Sequence, residues 1–246
     1  MRRIYLYNHK ITGEKIFVYE EPAHYIKNVL RMSTGSVFYG FDGTGMEFLI
    51  KITSTNPSYV EGVILEKRTN QQKEASVSIE LCISLCKTKT FENIIKKVSE
   101  IGVISIIPMI TTRSIINIDT KSLPAKIKRW EKIAGEGSKI AGRTKIPSIS
   151  LPQRFETVIS NKICGILFWE QASTHIKIVL NSIKEKMPEI KLIRIFIGPE
   201  GGFTQEEVSM AESNGIPIAG LGPRILSVET ATIVAVSILM YEFEKV

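Results

Sequence analysis

The hydrophobic pattern of the chain changes near residue 70, and this change constrains the fold more than any other feature. From residue 3 to about residue 67 the apolar residues occur in short runs: "RIYLY", "KIFVY", "SVFYGF", "MEFLIKI" and "YVEGVILE". Short apolar runs of this kind, bounded by polar turns, are typical of β-strands. The pattern predicts a small β-barrel over residues 1–70.

Two local signals refine this N-terminal domain. The tetrapeptide "DGTG" at residues 42–45 lies between two strand-like runs and predicts a hairpin turn. The segment "PAHYIKNVLR" predicts one helix, because Ile26, Val29 and Leu30 fall on one helical face.

Beyond the polar segment "EKRTNQQKEAS" at residues 66–76 the chain alternates between strand-like and helical patterns, so the domain boundary is placed there. "VSIELCISL" is a continuous apolar run, as expected of a strand buried on both faces. "TFENIIKKVSEIG" has apolar residues at helical spacing, and Gly102 is placed to end that helix. The alternation continues to the C-terminus and predicts an α/β domain over residues 71–246 with a mostly parallel sheet.

Composition narrows the class of protein. The 246 residues are 43% hydrophobic, which suits one large or two modest globular domains. A surplus of 32 Lys and Arg over 25 Asp and Glu gives a net charge of +7 and favours polyanionic partners. The three cysteines lie in apolar stretches and are predicted to be buried free thiols in a reducing compartment.

Several features are not expected in this chain. The start "MRRIYLYNHK" lacks the apolar stretch of a secretory signal, and no apolar run approaches the length of a membrane span. We therefore expect a cytoplasmic protein with no membrane contact. His9, His24 and His175 are too scattered in the sequence to predict a metal site.

The stretch "FIGPEGGFTQEE" at residues 196–207 joins a strand, a glycine loop and a helix. Thr204 and Glu207 have the spacing of a capping box, which would occupy the first helical N–H groups. A phosphate would need those groups free, and the loop lacks the spacing of known phosphate loops. Gly198, Gly201 and Gly202 then serve either a sharp turn or a close approach of the backbone to a ligand.

A second glycine-bearing corner follows in "GIPIAGLGPRILSVETATIVAVSILMYEF". A strand ends at Gly222-Pro223, and a final helix is predicted to begin near Ser227 or Val228. From Thr232 to Met240 this helix is apolar nearly all round, so it must be buried in the core or in a subunit interface. Ligands of open α/β sheets bind at the carboxyl ends of strands, so we expect the two corners to form one site.

The two corners together resemble the SPOUT methyltransferases, and in particular the 16S ribosomal RNA uracil-N3 methyltransferase family. "MRRIYL", "HYIKNVLRMSTG" and "KKVSEIGVISIIP" extend this resemblance over most of the chain. Five residues depart from the family pattern and bear on RNA contact rather than on the cofactor: Thr112, Lys139, Ile140, Ala141 and Ser227. The resemblance implies a PUA-like barrel that binds RNA, a SPOUT domain with a deep trefoil knot, S-adenosyl-L-methionine as cofactor, and a homodimer.

The resemblance also implies the reaction, which is methylation at N3 of a specific uridine in 16S rRNA of the assembled small subunit. Glu200 is the candidate to take the N3 proton, and Arg224 is the candidate to stabilise developing negative charge. The alternative is that Glu200 and Arg224 have only a structural role and form a salt bridge between their two loops. By motif match the cofactor-binding residues are Phe168, Trp169, Glu170, Ile197, Gly198, Pro199, Gly201, Leu221, Gly222, Ile225, Leu226 and Thr230.

Seven basic residues in family-matching segments are predicted to bind RNA: Arg2, Arg3, Arg31, Lys87, Lys89, Arg113 and Arg143. A solvated surface charge is the alternative for each. Two other functions stay open at this point. One is a SPOUT methyltransferase that acts on tRNA, and the other is a catalytically inactive RNA-binding protein of ribosome assembly.

Overall fold

A computed structural model describes residues 2–69, 76–114, 121–159 and 164–244. The chain forms two compact units, one of Met1–Glu74 with Ser138–Ile146 and one of Ala75–Gly137 with Pro147–Val246. The sequence predicts a single boundary between residues 70 and 71, whereas the first unit extends to residue 74 and also includes the segment 138–146. Most of the predicted linker, residues 70–75, lies outside the described residues.

The first unit is built on one mostly antiparallel sheet. Its strands follow the order β1-β4-β5-β6-β3-β2, and the β1–β4 pair is the parallel one. Ile4 of β1 and Ile16 of β3 belong to one buried cluster although four steps separate these strands in the sheet, so the sheet curls around its core. The strands are β1 Arg3–Tyr5, β2 His9–Thr12, β3 Lys15–Tyr19, β4 Val37–Phe41, β5 Met46–Thr55 and β6 Tyr59–Thr69.

The predicted hairpin turn between β4 and β5 is confirmed. The Asp42 carboxylate accepts hydrogen bonds from the N–H and the hydroxyl of Thr44, each at 2.8 Å. Gly43 and Gly45 have φ values of 88° and 112°, which residues with a side chain rarely adopt.

The predicted helix of this unit is interrupted. Helix α1, Glu20–His24, continues into a π-helical segment, Tyr25–Val29, in which the Leu30 N–H donates to the Tyr25 carbonyl at 2.9 Å. The wider π turn rotates the later side chains away from ordinary helical spacing. The prediction that Val29 shares the buried face of Ile26 is therefore wrong, because Val29 is 59% exposed.

The segment 138–146 belongs to the first unit through backbone contacts with the hairpin turn. The Gly45 N–H donates to the Thr144 carbonyl at 3.2 Å, and the Ile146 N–H donates to the Gly43 carbonyl at 3.0 Å. The Arg3 guanidinium adds a bond to the Arg143 carbonyl at 2.6 Å. These contacts join residues about 100 to 140 positions apart, which no local pattern in the sequence indicates.

The second unit carries the predicted parallel sheet, with the order β10-β8-β7-β12-β11-β13 and β9 as a further partner of β8. Every pairing in it is parallel. Its strands are β7 Ser78–Ser84, β8 Ser105–Ile110, β9 Ser148–Ile149, β10 Gln153–Arg154, β11 Gly165–Phe168, β12 Leu192–Ile197 and β13 Ile218–Ala219. The strand order alone does not define a knot, and the trefoil knot stays a prediction.

The further helices of the chain include those predicted after "VSIELCISL", after the glycine loop and near Ser227, and also a short helix at Phe155–Ile159 that the sequence does not predict. They are α2 Thr88–Ile101, α3 Leu123–Ile140, α4 Phe155–Ile159, α5 Ile176–Lys186, α6 Gln205–Ser213 and α7 Val228–Phe243. Helix α2 ends at Gly102, whose φ of 131° suits glycine. Helix α7 packs against α2 and β12 and leaves Tyr241 86% exposed. Among the described helices, none combines the length and the apolar character that a membrane span requires.

The three cysteines are free, as predicted. Cys82 and Cys86 are buried, whereas Cys164 is only partly buried. Burial, with a smaller contribution from the Glu200 carboxylate, raises the pKa of the Cys86 thiol to about 12. This thiol therefore stays protonated at neutral pH and is a poor nucleophile.

Candidate functional site

The ends of three neighbouring strands form a cavity in the second unit. Because β11, β12 and β13 are parallel neighbours, the segments that follow them emerge at one edge of the sheet. These segments and the first turn of α7 enclose a cavity of about 530 Å³. The two glycine-bearing corners, at residues 198–203 and 221–226, both line it, as the sequence predicts.

The first corner, residues 198–203, is here called the glycine loop, and a side chain would be strained or crowded at two of its glycines. Gly202 has a φ of 69°, and a Cβ atom there would lie 2.6 Å from Glu170 Oε1. A Cβ atom on Gly198 would lie 3.2 Å from the backbone of Gly202 and of Phe203. The glycines thus serve a sharp turn that folds tightly on itself, which is one of the two alternatives from the sequence.

The start of α6 is capped by its own side chains, which confirms the predicted capping box. The Thr204 hydroxyl accepts the Glu207 N–H at 3.2 Å, and Glu207 Oε2 accepts the Thr204 N–H at 2.9 Å. Glu207 Oε1 accepts a third bond, from the Thr112 N–H at 2.8 Å. With its first amides occupied and two acidic residues in its first turn, this helix is a poor anion site.

The second corner, residues 221–226, is here called the Arg224 loop. It begins after Gly220, whose N–H donates to the Thr174 carbonyl at 2.8 Å. In the part of the chain that the structure describes, residues 221–226 make no hydrogen bond. Arg224 is exposed, and Ile225 is 86% exposed.

Helix α7 closes this corner and begins where the sequence predicts. Its N-cap is Ser227, whose hydroxyl oxygen accepts the Thr230 N–H at 3.3 Å. The Thr230 hydroxyl forms a hydrogen bond with the same Ser227 oxygen at 3.0 Å, so the Thr230 side chain is engaged at the start of the helix. Thr230 does not line the cavity, although it is among the predicted cofactor residues.

Glu200 and Arg224 bring opposite charges to the cavity from different corners. Both line it and both are exposed. Within the described residues they form no ion pair with each other, so the salt-bridge alternative from the sequence is not seen. The Lys87 N–H donates to Glu200 Oε1 at 3.4 Å, which leaves most of the hydrogen-bonding capacity of the carboxylate available to a ligand.

Trp169 contributes a buried polar group without a hydrogen-bond partner among the described residues. Its Nε1–H is inaccessible to solvent, and the side chain lines the cavity. A buried indole N–H normally has an acceptor, so this unpartnered group in a cavity-lining residue is an exception.

The other predicted cofactor residues all line the cavity. Sequence reasoning missed five further lining residues: Gly202, Phe203, Ser227, Val228 and Ala231. Val228 and Ala231 are three positions apart on α7, and this helical spacing is a signal that could have indicated them.

The predicted RNA-binding residues differ in how exposed their side chains are to solvent. Lys87 and Lys89, at the start of α2, are exposed. Arg2 is exposed and donates to the Leu30 carbonyl at 2.6 Å, and Arg31 is exposed with a φ of 51°.

The three remaining arginines of that set are engaged by the protein itself. Arg3 forms an ion pair of 2.6 Å with the buried carboxylate of Glu47. Arg143 is only 2% exposed, so an RNA phosphate does not reach its guanidinium in this conformation. Arg113 is exposed, but its Nη1 donates to the Gly201 carbonyl at 2.7 Å.

A metal site was not expected from the sequence. Across residues 2–69, 76–114, 121–159 and 164–244, no group of three or more His, Cys, Asp or Glu side chains is arranged to hold a metal ion.

Two family models of known proteins match this chain, one in each part of the sequence. Residues 73–240 match the model of an RNA methyltransferase domain, and residues 18–65 match that of an RNA methyltransferase PUA domain. The ribosomal RNA small subunit methyltransferase E of Bacillus subtilis is 30% identical over 239 residues, which cover 95% of this chain and 90% of that protein.

Solved structures show the same fold over the whole chain. A Legionella pneumophila protein described as a methyltransferase, solved with its cofactor S-adenosylmethionine, matches with a TM-score of 0.88 and 26% identity over 99% of this chain and 98% of that one. The Neisseria gonorrhoeae ribosomal RNA small subunit methyltransferase E, also bound to S-adenosylmethionine, matches with a TM-score of 0.85 and 23% identity over 98% and 97%. The resemblance drawn from the two glycine corners is therefore confirmed, and the chain belongs to the ribosomal RNA small subunit methyltransferase E family.

Proposed function

We propose that this protein uses S-adenosyl-L-methionine to methylate N3 of a specific uridine in 16S rRNA of the assembled small subunit. One observation carries the proposal. In a chain of this family, the ends of three parallel strands enclose a cavity that receives a carboxylate, Glu200, and a guanidinium, Arg224, from separate loops.

The residues around the cavity fit this cofactor. Its adenine is neutral and flat, and Phe168, Ile197 and Leu226 provide apolar walls for it. The unpartnered Nε1–H of Trp169 offers a donor to an acceptor atom of the ligand. The carboxylates of Glu170 and Glu200 would repel a phosphate but are compatible with a sulfonium cation.

When bound, the cofactor supplies a methyl group that the sulfonium charge already activates. The task of the protein is then to align donor and acceptor, which is worth roughly 7–11 kcal/mol of the barrier. Glu200 accepts the weakly acidic N3 proton, and such general base catalysis contributes about 10²–10⁴-fold. Arg224 stabilises the negative charge that develops on the uracil oxygens.

The proposed partners follow from exposed groups. The accessible basic residues Lys87, Lys89, Arg2 and Arg31 neutralise RNA phosphates, so binding should weaken as salt increases. We include a homodimer in the proposal because α7 is strongly apolar and is only partly covered by its own chain. The proposal includes a cytoplasmic location, because the proposed substrate is ribosomal.

The test uses small subunits from a strain that lacks this activity. Purified protein and isotopically labelled S-adenosylmethionine are added, and mass spectrometry maps the methylated nucleoside. The proposal predicts one labelled uridine at N3, with assembled subunits labelled better than naked 16S rRNA. Label in tRNA instead supports the tRNA alternative. A protein that binds subunits but shows no calorimetric binding of the cofactor is the inactive assembly factor.

A further inference from the structure

The turn that follows β8, residues 111–114, is fixed by a closed cluster of three hydroxyl groups. Ser84 Oγ lies 2.6 Å from Thr111 Oγ1 and 2.8 Å from Ser114 Oγ, and the last two lie 2.8 Å apart. The Thr111 N–H also donates to Ser114 Oγ at 3.0 Å. Because Ser84 is the last residue of the central strand β7, the turn is anchored to the sheet.

This turn contacts the glycine loop at its downstream end. Arg113 Nη1 donates to the Gly201 carbonyl at 2.7 Å and to the Phe203 carbonyl at 3.4 Å. The aliphatic part of Arg113 covers Gly201, since a Cβ atom there would lie 3.4 Å from Arg113 Cδ.

A second contact from the same turn reaches the helix that follows the loop. The Thr112 N–H donates to Glu207 Oε1, and Glu207 Oε2 accepts the Thr204 N–H. The turn at 111–114 thus holds the chain on both sides of Phe203. Bonds from a charged guanidinium are stronger than bonds between neutral groups, so Arg113 is the main side-chain constraint on the Gly201 carbonyl.

We infer that Arg113 is a positioning residue that holds the glycine loop in its cofactor-binding shape, and that this is its role in place of the RNA contact predicted from the sequence. The inference rests on the proposed function, because it takes the cavity as the cofactor site. Arg113 acts through Gly201, which lines the cavity, whereas Arg113 itself does not line it.

The test compares three variants, Arg113→Ala, Arg113→Lys and Arg129→Ala. Arg129 is a matched control because it is an exposed arginine whose ion pair, 2.6 Å to Glu92, does not involve the loop. Calorimetry without RNA gives the dissociation constant for S-adenosylmethionine. Hydrogen exchange reports on the amides of residues 198–203, and RNA binding is titrated at several salt concentrations.

For Arg113→Ala we expect affinity for the cofactor to fall by about 10-fold, the loss typical of a hydrogen bond to a charged group. The loop amides should exchange faster, while the salt slope of RNA binding stays at the wild-type value. Arg113→Lys should recover part of the cofactor affinity, because one ammonium can still donate to the Gly201 carbonyl. Arg129→Ala should match the wild type in all three measurements.

Unchanged cofactor affinity in Arg113→Ala overturns the inference, whatever the salt slope does. A salt slope that falls by about one, with wild-type cofactor affinity, would make Arg113 a phosphate contact. The exchange measurement needs no cofactor, so it tests the loop constraint separately: wild-type protection in Arg113→Ala also overturns it. A wild-type protein that fails to bind the cofactor refutes the proposed function instead.

Discussion

The two corners that line the cavity are built in opposite ways. The glycine loop folds on itself, is bonded by Arg113, and leads into a helix capped by Thr204 and Glu207. The Arg224 loop makes no hydrogen bond in the described part of the chain and presents Arg224 and Ile225 to solvent. Both follow strands of one sheet, so the difference arises from the loops and not from the sheet.

This difference assigns separate tasks to the two corners. A loop whose backbone groups are bonded within the protein is already in shape when a ligand arrives, and it loses little entropy on binding. A loop without such bonds gains its order from whatever binds to it. We therefore expect the glycine loop to determine cofactor affinity, and the Arg224 loop to become ordered by cofactor, RNA or a second subunit.

The largest effect is expected from Glu200→Gln, which removes the proposed base from the constrained loop. Methyl transfer to small subunits should fall by about 10²–10⁴-fold, because the amide cannot take the N3 proton. Cofactor affinity should change little, since the amide has nearly the same shape. Single-turnover rates and calorimetry measure the two quantities. A Glu200→Gln protein with wild-type turnover would remove this carboxylate from the mechanism.

The next effect concerns the backbone of the constrained loop. Gly202→Ala should lower the free energy of unfolding by roughly 1–2 kcal/mol, because φ is positive, whereas the Glu170 carboxylate that the new Cβ meets is the end of a flexible side chain and can move aside. Gly201→Ala is the matched control, since its Cβ would make only ordinary contact with Arg113. Urea denaturation compares the two variants. Equal stabilities would show that the loop is less constrained than its contacts indicate.

The caps of the two helices give a direct comparison of the corners. Glu207→Ala removes an acceptor shared by two N–H groups, and it should cost about 2 kcal/mol of unfolding free energy. Ser227→Ala removes a single exposed cap at the Arg224 loop and should cost about 1 kcal/mol. Glu207→Gln keeps one acceptor oxygen and should fall between them. A larger loss of unfolding free energy in Ser227→Ala than in Glu207→Ala would contradict the assignment of the glycine loop as the constrained corner.

The smallest effect on stability is expected from Ile225→Ser in the Arg224 loop. The side chain is 86% exposed, so the free energy of unfolding should stay within about 0.5 kcal/mol of wild type. Thermal melting of the protein without ligand measures this. A large loss of stability would show that Ile225 is packed in solution, for example against a second subunit.

Much of the fold could be predicted because its signals are local. The continuous apolar run of β7, the helical spacing of α2 and the glycine after it require only a few neighbouring residues. The glycine corners could be assigned to one site because parallel strands end at the same edge of a sheet.

Other features could not be predicted because they depend on distant residues. The bond from Arg113 to the Gly201 carbonyl joins residues 88 positions apart, so the sequence alone favours a surface charge at this position. Arg143 likewise reads as a basic surface residue, although the structure buries it. The π turn after α1 moves Val29 to the surface, and ordinary helical periodicity does not reveal such a change.

Because residues 138–146 belong to the first unit, the protein cannot be divided into two fragments by a single cut. The backbone passes from one unit to the other three times, and helix α3 continues across one of these passages. A fragment that stops at residue 70 would lack the bonding partners of Gly43 and Gly45 and two acceptors of Arg3, the carbonyls of Lys139 and Arg143. The first unit is therefore not an independent fragment, and neither truncation nor a protease cut near residue 70 would yield it complete.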